Sequence, residues 1–432
     1  MQYLTGHLRH YDWGSTDAIA VLTGRTPSGR PEAELWFGAH PSGPACIGVK
    51  AAKLDAFIAR NRVAALGPTV ANRFGVLPFL TKILAAEQPL SIQLHPNKHQ
   101  AEMGYAAEDD GQIALDAPNR TYRDPNHKPE LICALTPFEA RCGFRTAVET
   151  QAFLHELVRG SREVSLLPAD HPFSEWVRYL EQVAAGNDTT TNLADVVGWL
   201  LRLTPNKAEA LVGVLQRSSQ TWVSNGGSGV SGAKYLELDA VARWTQKLVA
   251  QYPGDPGVAV AFLLNHVTLA PSEALFLPAG ELHCYLHGTA VEVMANSDNV
   301  VRGGLTPKHI DLEELLVLLN PKPSIPSRQS PSSQVFQYNT PVPDFSVTRY
   351  QGPLTVDITP TGPEILLATS PRAWVGNQDR QLALESGQAG FVGVADGRYQ
   401  LSLESEASVV WRTTAGNLDQ RETARMSAAH RS

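Results

Sequence analysis

The stretch Leu90-Ser91-Ile92-Gln93-Leu94-His95-Pro96-Asn97-Lys98 indicates both the fold and the kind of site that the fold positions. Up to His95 its apolar residues alternate with polar ones, and a period of two is typical of a strand with one apolar and one polar face. Ser91, Gln93 and His95 are therefore predicted to point the same way. An amide oxygen and an imidazole nitrogen on one face are two potential metal donors.

The segment His127-Lys128-Pro129-Glu130 shows the same arrangement, since Lys128 and Glu130 would share one face of a strand. Together with Gln93 and His95, the Glu130 carboxylate gives a mixed set of nitrogen and oxygen donors. Such a set suits zinc or another first-row metal better than calcium. The polar solvent face of an ordinary strand would show the same alternation, so these residues alone leave both interpretations open.

The composition argues against several classes of protein. The chain has 432 residues, a formal net charge of -7 and four cysteines without CxxC spacing, Cys46, Cys133, Cys142 and Cys284. We expect these cysteines to be reduced and mostly buried, as in a cytoplasmic protein. The acidic balance gives no electrostatic footprint for nucleic acid, and we expect neither a membrane span nor a secretory signal. A local cluster of Lys and Arg could still bind one phosphate.

Short apolar runs separated by Gly and Pro predict antiparallel β structure up to about residue 145. Helical spacing replaces this pattern between 146 and 252, where Thr146 and Glu149 fit a capping box and Thr204-Pro205 predicts another helix start. Two sets of apolar residues at helical spacing predict buried stripes: Trp176, Tyr179, Leu180 and Val183, then Val241, Trp244 and Leu248. The Gly- and Ser-rich stretch 224–232 predicts an exposed loop.

Strand-like runs return at 258–264, at 274–277 and at 281–286, where His283 and Tyr285 would share a face. A second imidazole is therefore available on a second β element. A helix over 311–319 and a Pro-rich linker over 320–327 precede a further β region. There, 384–391 can be aligned with 269–276, which would suit two barrels of similar plan. The later copy has no histidine at the position of His283, so a metal is expected in the first barrel alone.

Six runs of the chain together resemble the type I mannose-6-phosphate isomerase family. They occur in the family's order from Tyr11 to Lys308 and therefore extend over most of the chain. The runs are Tyr11-Asp12-Trp13-Gly14-Ser15, Ala33–Pro41, Leu77–Lys82, Pro89–Lys98, His127–Glu130 and Val291–Lys308.

The resemblance implies a mainly β fold with an α insertion. A cupin (jelly-roll) barrel would be interrupted by a helical domain and followed by a second, smaller C-terminal β-barrel domain. The implied catalytic domain is discontinuous and comprises 1–145 and 253–328, with the helical domain at 146–252. A C-terminal jelly-roll-like domain without metal would cover 329–415, followed by a polar tail at 416–432. The chain is expected to act as a monomer.

The family's cofactor is one zinc ion, and the residues that match its ligands are Gln93, His95, Glu130 and His283. The reaction implied is the interconversion of mannose 6-phosphate and fructose 6-phosphate, with a proton moving between C2 and C1 through an enediol. It would supply mannose 6-phosphate for GDP-mannose synthesis, or mannose for glycolysis. Four protein ligands would close the site, so catalysis would need an exchangeable water, an expanded coordination sphere or charge alone.

Further residues match functional positions of the family. Those at catalytic positions are Arg302, Lys128, Asp298 and His127. Those at substrate positions are Ser91, Lys308, Glu292 and Tyr285, of which Ser91 and Lys308 match phosphate contacts. The resemblance leaves open which of Lys128, Asp298 and Arg302 moves the proton. Cys284 stands where the family often has alanine, and its side chain is expected to point away from the metal.

Two other functions compete with this interpretation. An iron cupin oxygenase would use histidines and a carboxylate with open coordination positions, and Gln93, Arg302 and Lys308 argue against it. A cupin that binds a sugar phosphate as a sensor or a store has no need for acid–base residues. Without the resemblance, Asp298 would be interpreted as part of an Asx turn and Lys308 as a solvated residue.

Overall fold

The computed structural model describes residues 1–159, 161–186, 192–227 and 232–416. Residues 228–231 of the predicted loop lie outside the described part, as does the tail from residue 417 onward. Along the described chain the strands form three sheets, of eight, eleven and four strands. The fold is sheet-rich with helical segments, and none of these sheets closes into a complete ring within the described residues.

The segment before residue 146 contains strands that pair antiparallel, as predicted, together with four helices that the pattern of short apolar runs does not predict. A signal for the fourth helix is present, because Asn97 and Gln100 form a capping box. The elements are β1 (Gln2–Thr5), β2 (His7–Arg9), α1 (Ala18–Leu22), β3 (Glu34–Gly38), β4 (Cys46–Ile47), β5 (Ala52–Lys53), α2 (Leu54–Arg60), α3 (Arg62–Arg73), β6 (Phe79–Ala86), β7 (Gln93–Leu94), α4 (Lys98–Asp110), β8 (Glu130–Ala134) and β9 (Phe138–Phe144).

Helices then occupy most of the described chain up to residue 263. They are α5 (Ala147–Leu157), α6 (Arg162–Ser165), α7 (Pro172–Ala185), α8 (Leu193–Leu201), α9 (Pro205–Ser224), α10 (Ala233–Gln251) and α11 (Gly257–Leu263). Thr146 and Glu149 form the predicted capping box at the start of α5. Trp176 and Leu180 of the predicted stripe are fully buried in the core that these helices share. The helical prediction for this region is therefore confirmed.

The strand predicted over 258–264 is wrong, because this segment forms α11. Every residue of α11 is buried, so the helix is apolar on all sides. An apolar run without alternation does not distinguish a buried strand from a buried helix. The helical region consequently extends beyond residue 252, where the sequence pattern predicts its end.

The elements that follow return the chain to the eleven-stranded sheet. They are β10 (Leu264–Leu269), β11 (Ala274–Leu277), β12 (His283–Ala295), β13 (Val301–Arg302), α12 (Leu312–Leu318) and β14 (Arg328–Gln329). The predicted helix and the irregular linker after it are both confirmed.

β12 joins two parts of this sheet, because its first residues pair with β7 and β9 and its later residues with β6 and β8. A register shift after Tyr285 and a positive φ of 122° at Gly288 separate the two parts. A Cβ at position 288 would lie 2.7 Å from the Pro137 carbonyl oxygen. Glycine has no Cβ and therefore avoids this clash. The bulge reverses the alternation, so that Tyr285 before it and Ala290 after it pack in the same apolar cluster.

The C-terminal strands form the four-stranded sheet and part of the eight-stranded sheet. They are β15 (Val335–Gln337), β16 (Ser346–Gln351), β17 (Leu354–Ile358), β18 (Glu364–Ala368), β19 (Ala373–Gly376), β20 (Gln381–Leu384), β21 (Ala389–Val392), β22 (Tyr399–Leu403) and β23 (Val409–Thr414). The eight-stranded sheet has the order β15-β16-β23-β18-β21-β1-β4-β5, with Leu4 opposite Ala389. Strands from both ends of the chain thus share one sheet, and the domain boundaries given above remain a prediction.

Two strand–turn–strand units are consistent with the predicted internal similarity. β11 begins five residues after β10 ends, and β21 begins five residues after β20 ends. The aligned turns both contain a positive φ, 74° at Ser272 and 77° at Gly387. The two units therefore share a local backbone course as well as a sequence pattern.

The cysteines bear out an expectation from the composition. All four cysteines are free, and all except the partly exposed Cys46 are buried. Cys284 packs in the apolar core beside the helices, where burial raises the pKa of its thiol to about 12.

No helix in the described part of the chain has the combined length and apolarity that crossing a bilayer requires.

Thr146→Ala is expected to lower the free energy of unfolding by about 1 kcal/mol, because the variant lacks the hydroxyl that accepts the Glu149 N–H. Urea denaturation measures this change. Thr204→Ala is the matched control, since Thr204 precedes α9 in the same way but makes no side-chain capping bond. Equal losses in the two variants would contradict the role of the Thr146 cap.

Candidate metal centre and active site

A cavity of about 540 Å³ beside β12 collects most of the predicted site residues. Those that line it are Ser91, Gln93, Lys128, Glu130, His283, Tyr285, Glu292, Asp298, Arg302 and Lys308. The other two predicted residues do not line the cavity. His95 is buried against Glu130, and His127 bonds to a different part of the chain.

His95, Glu130 and His283 form a compact buried cluster whose nitrogen and oxygen atoms lie within 4.8 Å of one another. His95 Nε2 lies 3.3 Å from Glu130 Oε1, and His283 Nε2 lies 3.5 Å from Glu130 Oε2. These residues belong to the loop after β7, to the start of β8 and to the start of β12. The fold thus brings together three residues that are far apart in the sequence.

The histidine tautomers are set by backbone carbonyls. His95 Nδ1 donates to the Asn299 carbonyl at 2.7 Å, and His283 Nδ1 donates to the Glu281 carbonyl at 2.9 Å. In the neutral ring this leaves a lone pair on each Nε2, and both Nε2 atoms face the Glu130 carboxylate. Burial and the nearby Lys128 lower the pKa of His95 to about 4, so this ring is neutral at neutral pH. Within the described residues His95 Nε2 has no hydrogen-bond partner.

Gln93 lies between two other strands, since β7 pairs it with His283 of β12 on one side and with Arg302 of β13 on the other. Its side-chain N–H donates to Ser91 Oγ at 3.3 Å, which leaves the amide oxygen available to a ligand. The predicted donor face of this stretch is therefore directed to the cluster.

The strand that carries Gln93 is shorter than predicted, because only Gln93–Leu94 of 90–95 has strand geometry. Prolines at 89 and 96 flank the stretch and lack the N–H that a continuous ladder requires. The predicted alternation still holds, since Leu90, Ile92 and Leu94 are all buried.

Lys128 precedes β8 instead of lying within it, yet its ammonium group reaches Glu130 Oε1 at 3.0 Å. Burial raises the pKa of Glu130, but Lys128 and the two histidines outweigh this effect and hold the pKa well below its usual range. The carboxylate is therefore ionised at neutral pH. The predicted adjacency of an acidic and a basic residue is confirmed.

A row of buried charges beside the cluster adds residues that neither the strand pattern nor the family resemblance assigns to the site, apart from Glu292. Lys82 of β6 lies 2.8 Å from Glu292 of β12 and 3.4 Å from Glu34 of β3, and the Trp36 indole donates to Glu34 at 2.8 Å. Of these residues only Glu292 is predicted. Lys82 and Glu34 could have been identified in the sequence as charged side chains inside apolar runs, because a buried charge needs a buried partner.

Tyr285 connects this row to the metal cluster. Its hydroxyl lies 3.0 Å from Glu292 and 3.2 Å from Glu130. Burial and the two carboxyl groups raise the pKa of Tyr285, so the hydroxyl stays protonated and its single proton is shared between them. Burial also raises the pKa of Glu292 against the opposing effect of Lys82.

Acidic and basic side chains are buried together in the wall of the cavity beside the cluster. Three carboxylates, Glu34, Glu130 and Glu292, face two ammonium groups, Lys82 and Lys128, and all five side chains are buried. Buried groups of this kind need partners that compensate their charge. The nitrogen and oxygen donors of the cluster, and a His95 Nε2 that has no hydrogen-bond partner among the described residues, fit a bound metal ion.

Asp298 lines the cavity with 40% of its side chain accessible. The Ser42 hydroxyl lies 3.2 Å from Asp298 Oδ2 and 2.8 Å from His40 Nδ1, and His40 Nε2 lies 3.5 Å from Asp298. The Ser42 backbone N–H donates to His40 Nδ1, so the proton of the neutral ring sits on Nε2 and faces Asp298. Burial lowers the pKa of His40 and keeps that ring neutral.

Arg302 and Lys308 form a cationic side of the cavity. Burial and the neighbouring Arg123 lower the pKa of Arg302, while burial and Arg302 lower the pKa of Lys308. Within the described residues neither side chain forms an ion pair with a carboxylate. Two adjacent cations without an acidic partner can bind an anion such as a phosphate.

His127 faces away from the cavity, although Lys128 beside it in the sequence lines the cavity. His127 Nε2 lies 2.7 Å from Asp344 Oδ2 in the C-terminal segment. The C-terminal segment thus contacts the loop that carries the cavity lysine.

In sequence the chain is similar to known mannose-6-phosphate isomerases. The family model for the type I phosphomannose isomerase catalytic domain matches residues 1–147. The mannose-6-phosphate isomerase of Salmonella typhimurium is 36% identical over 414 residues, which cover 91% of this chain and 95% of that protein. The human enzyme of the same name is 35% identical over 374 residues and 81% of each chain.

Solved structures agree with the sequence comparison. A mutant of phosphomannose isomerase from Salmonella typhimurium matches with a TM-score of 0.82 at 32% identity, over 96% of this chain and all of that chain. A mannose 6-phosphate isomerase bound with zinc and yttrium matches with a TM-score of 0.81 at 33% identity and the same coverage. These relatives are aldose–ketose isomerases of sugar phosphates. Within that class, the chain belongs to the type I phosphomannose isomerase family.

Lys82→Met is expected to lower the free energy of unfolding by about 3–5 kcal/mol, because it leaves Glu34 and Glu292 buried without their shared cation. Urea denaturation of the metal-free protein measures the loss. Lys207→Met is the control, since Lys207 pairs with Glu175 at 3.7 Å on the surface and should contribute less than about 1 kcal/mol. Similar small losses in both variants would contradict a buried ion-pair row.

Proposed function

We propose that the protein interconverts D-mannose 6-phosphate and D-fructose 6-phosphate by moving a proton between C2 and C1 through an enediol, with one bound zinc ion. The proposal rests on one observation: a buried His–Glu–His cluster and the cations Arg302 and Lys308 lie beside the same cavity. The cluster suits the oxygen-bearing reacting end of a sugar, and the cations suit its phosphate. Relatives at 35–36% identity that are named for this reaction support the assignment.

Gln93, His95, Glu130 and His283 would hold the zinc ion. The two histidines offer Nε2 lone pairs, Glu130 offers an ionised carboxylate and Gln93 offers an amide oxygen. When bound, zinc supplies a Lewis acid that polarises carbonyl or hydroxyl oxygens and stabilises negative charge developing on them. Zinc-bound structures of mannose 6-phosphate isomerase among the structural neighbours support this metal.

Arg302, Lys308 and Ser91 would bind and orient the phosphorylated part of the substrate. Arg302 is paired in register with the ligand Gln93 and also lies close enough to Lys308 to affect its pKa. Its guanidinium can therefore serve both the phosphate and the developing enediolate. Ser91 lies two residues from Gln93 and offers a hydroxyl to the same region of the cavity.

Lys128 and Asp298 would act as the acid–base pair. Asp298 keeps an accessible carboxylate beside Ser42 and His40, and this carboxylate can open the sugar ring or accept a proton. The Lys128 ammonium, beside Glu130, can donate to an oxygen that gains negative charge. Tyr285 and Glu292 would shape the sugar pocket, and His127 would steady the loop that carries Lys128.

The proposed architecture is a cupin (jelly-roll) barrel made of residues 1–145 and 253–328, interrupted by a helical domain and followed by a smaller C-terminal β-barrel domain over 329–415. The switch of β12 between two sets of partner strands supports the barrel, and the similar turns at Ser272 and Gly387 support a second domain of related plan. We further propose a cytoplasmic monomer that supplies mannose 6-phosphate for GDP-mannose synthesis or carries mannose toward glycolysis, without nucleic-acid or membrane partners.

Chelation is expected to abolish the conversion of mannose 6-phosphate to fructose 6-phosphate, and zinc is expected to restore it. A coupled assay for fructose 6-phosphate measures the protein as purified, after chelation and after zinc is returned. His283→Ala should remain inactive after zinc is added, whereas His287→Ala, an exposed histidine on the same strand, should behave as the unmodified protein. Full turnover without zinc, or none from a folded zinc-loaded protein, would overturn the proposal.

Arg302→Met and Lys308→Met are each expected to lower kcat/KM for mannose 6-phosphate by about 10- to 100-fold, because each removes a charged hydrogen-bond donor to the substrate. Steady-state kinetics at low ionic strength measure the effect. Lys322→Met removes an exposed lysine that does not line the cavity and is the matched control. An unchanged kcat/KM in both cavity variants would exclude these cations from phosphate binding.

A further inference from the structure

Asn299 is a buried residue next to Asp298, and every polar group it carries is hydrogen-bonded although it does not line the cavity. Only 1% of Asn299 is exposed. Its backbone carbonyl accepts the Nδ1–H of His95 at 2.7 Å, and its backbone N–H donates to Ser297 Oγ at 3.2 Å. Its position in the backbone therefore fixes the orientation of one proposed metal ligand.

The Asn299 side chain holds a second part of the site. Its amide oxygen accepts the backbone N–H groups of Arg123 and Asp124, at 2.7 Å and 3.3 Å. Its amide nitrogen donates to the carbonyl oxygens of Asp124 and Asn126, at 2.6 Å and 2.8 Å. The side chain thus spans the segment 123–126, which leads directly into His127, Lys128 and Glu130.

Few side chains can make this set of bonds. Two backbone donors and two backbone acceptors require a group with both an acceptor oxygen and a two-proton donor, which among short side chains only asparagine provides. An aspartate would place a carboxylate oxygen against two carbonyl oxygens. An alanine would remove all four bonds, so that the N–H groups of Arg123 and Asp124 and the Asp124 carbonyl would lose this partner, while the Asn126 carbonyl would keep the Ser297 hydroxyl.

Through these bonds Asn299 connects two parts of the cluster that belong to separate segments of the chain. Its carbonyl orients His95, which follows β7, and its side chain orients the approach to Glu130 at the start of β8. Other contacts also hold the segment 123–126, since Ser297 Oγ donates to the Asn126 carbonyl and the Asp298 N–H donates to Asp124. The connection to the His95 ring, however, runs through Asn299.

We propose that Asn299 is a positioning residue that fixes the metal ligand His95 and the segment carrying Lys128 and Glu130 as one unit. The inference rests on the proposed function, since it assigns those residues to a zinc site and to acid–base chemistry. Asn299 itself touches neither metal nor substrate and acts through the residues it holds.

The test compares Asn299→Asp, which keeps the shape of the side chain, with the unmodified protein. Zinc affinity is measured by competition with a chromophoric chelator, and kcat and KM are measured at saturating zinc. We expect zinc affinity to fall about 10- to 100-fold, the range seen when the outer partners of metal ligands are removed. We expect kcat at saturating zinc to fall by about tenfold with KM changed less than about threefold, because Arg302 and Lys308 still bind the phosphate. Asn299→Ala, which removes all four side-chain bonds, should show the larger loss.

Asn265→Asp is the matched control. The Asn265 amide nitrogen also donates to three backbone carbonyls, those of Cys142, Gly143 and Ser324, at 3.1, 2.9 and 2.9 Å, but Asn265 does not line the cavity. Thermal unfolding should show a loss of stability in both Asp variants. Zinc affinity and kcat should change only in the Asn299 variants.

Each outcome decides the inference. Unchanged zinc affinity and kcat in Asn299→Asp, with only a lower unfolding temperature, would reduce Asn299 to a structural residue and overturn it. Equal losses of zinc affinity in Asn265→Asp would overturn it as well, since the effect would then be general. If the unmodified protein binds zinc but does not isomerise mannose 6-phosphate, the proposed function fails, and the zinc-affinity comparison still decides whether Asn299 positions the cluster.

Discussion

The buried carboxylate of Glu130 is the group on which the rest of the cavity depends. It lies between two imidazole nitrogens that carry lone pairs and beside one ammonium group, with almost no contact with water. A buried charge of this kind persists only where its neighbours compensate it. The tautomers of His95 and His283, the position of Lys128 and the fit to a metal ion are therefore parts of one electrostatic arrangement.

The parts of the site that lie along one segment could be predicted, because alternation orders side chains over a few residues. This holds for Gln93 and His95, and for Lys128 beside Glu130. Two features could not be predicted in this way. The bulge in β12 reverses the alternation, so that Tyr285 and Glu292, which simple alternation assigns to opposite faces, lie 3.0 Å apart. Lys82 and Glu34 become partners only through the register of β3, β6 and β12, which long-range packing sets.

Two residues that are adjacent in the sequence, His127 and Lys128, have side chains that point in different directions. Lys128 faces the cavity, whereas His127 bonds to Asp344 of the C-terminal segment, and Pro129 follows both. The resemblance to a family identifies such a pair of residues but not the direction in which each side chain points. The apolar run of α11 shows the same limit for secondary structure, since its burial on all sides removes the periodicity that separates helix from strand.

The pairing of β1 with β21 has a consequence for how the chain is made. β1 leaves the ribosome long before β21, since Leu4 has its partner at Ala389. β1 can pair early with β4 on one side, but its other edge has no partner strand until β21 has been synthesised. Contacts of such large sequence separation form late and slow the search for the native state. The eight-stranded sheet can consequently be completed only after its last strands, β21 and β23, have been synthesised.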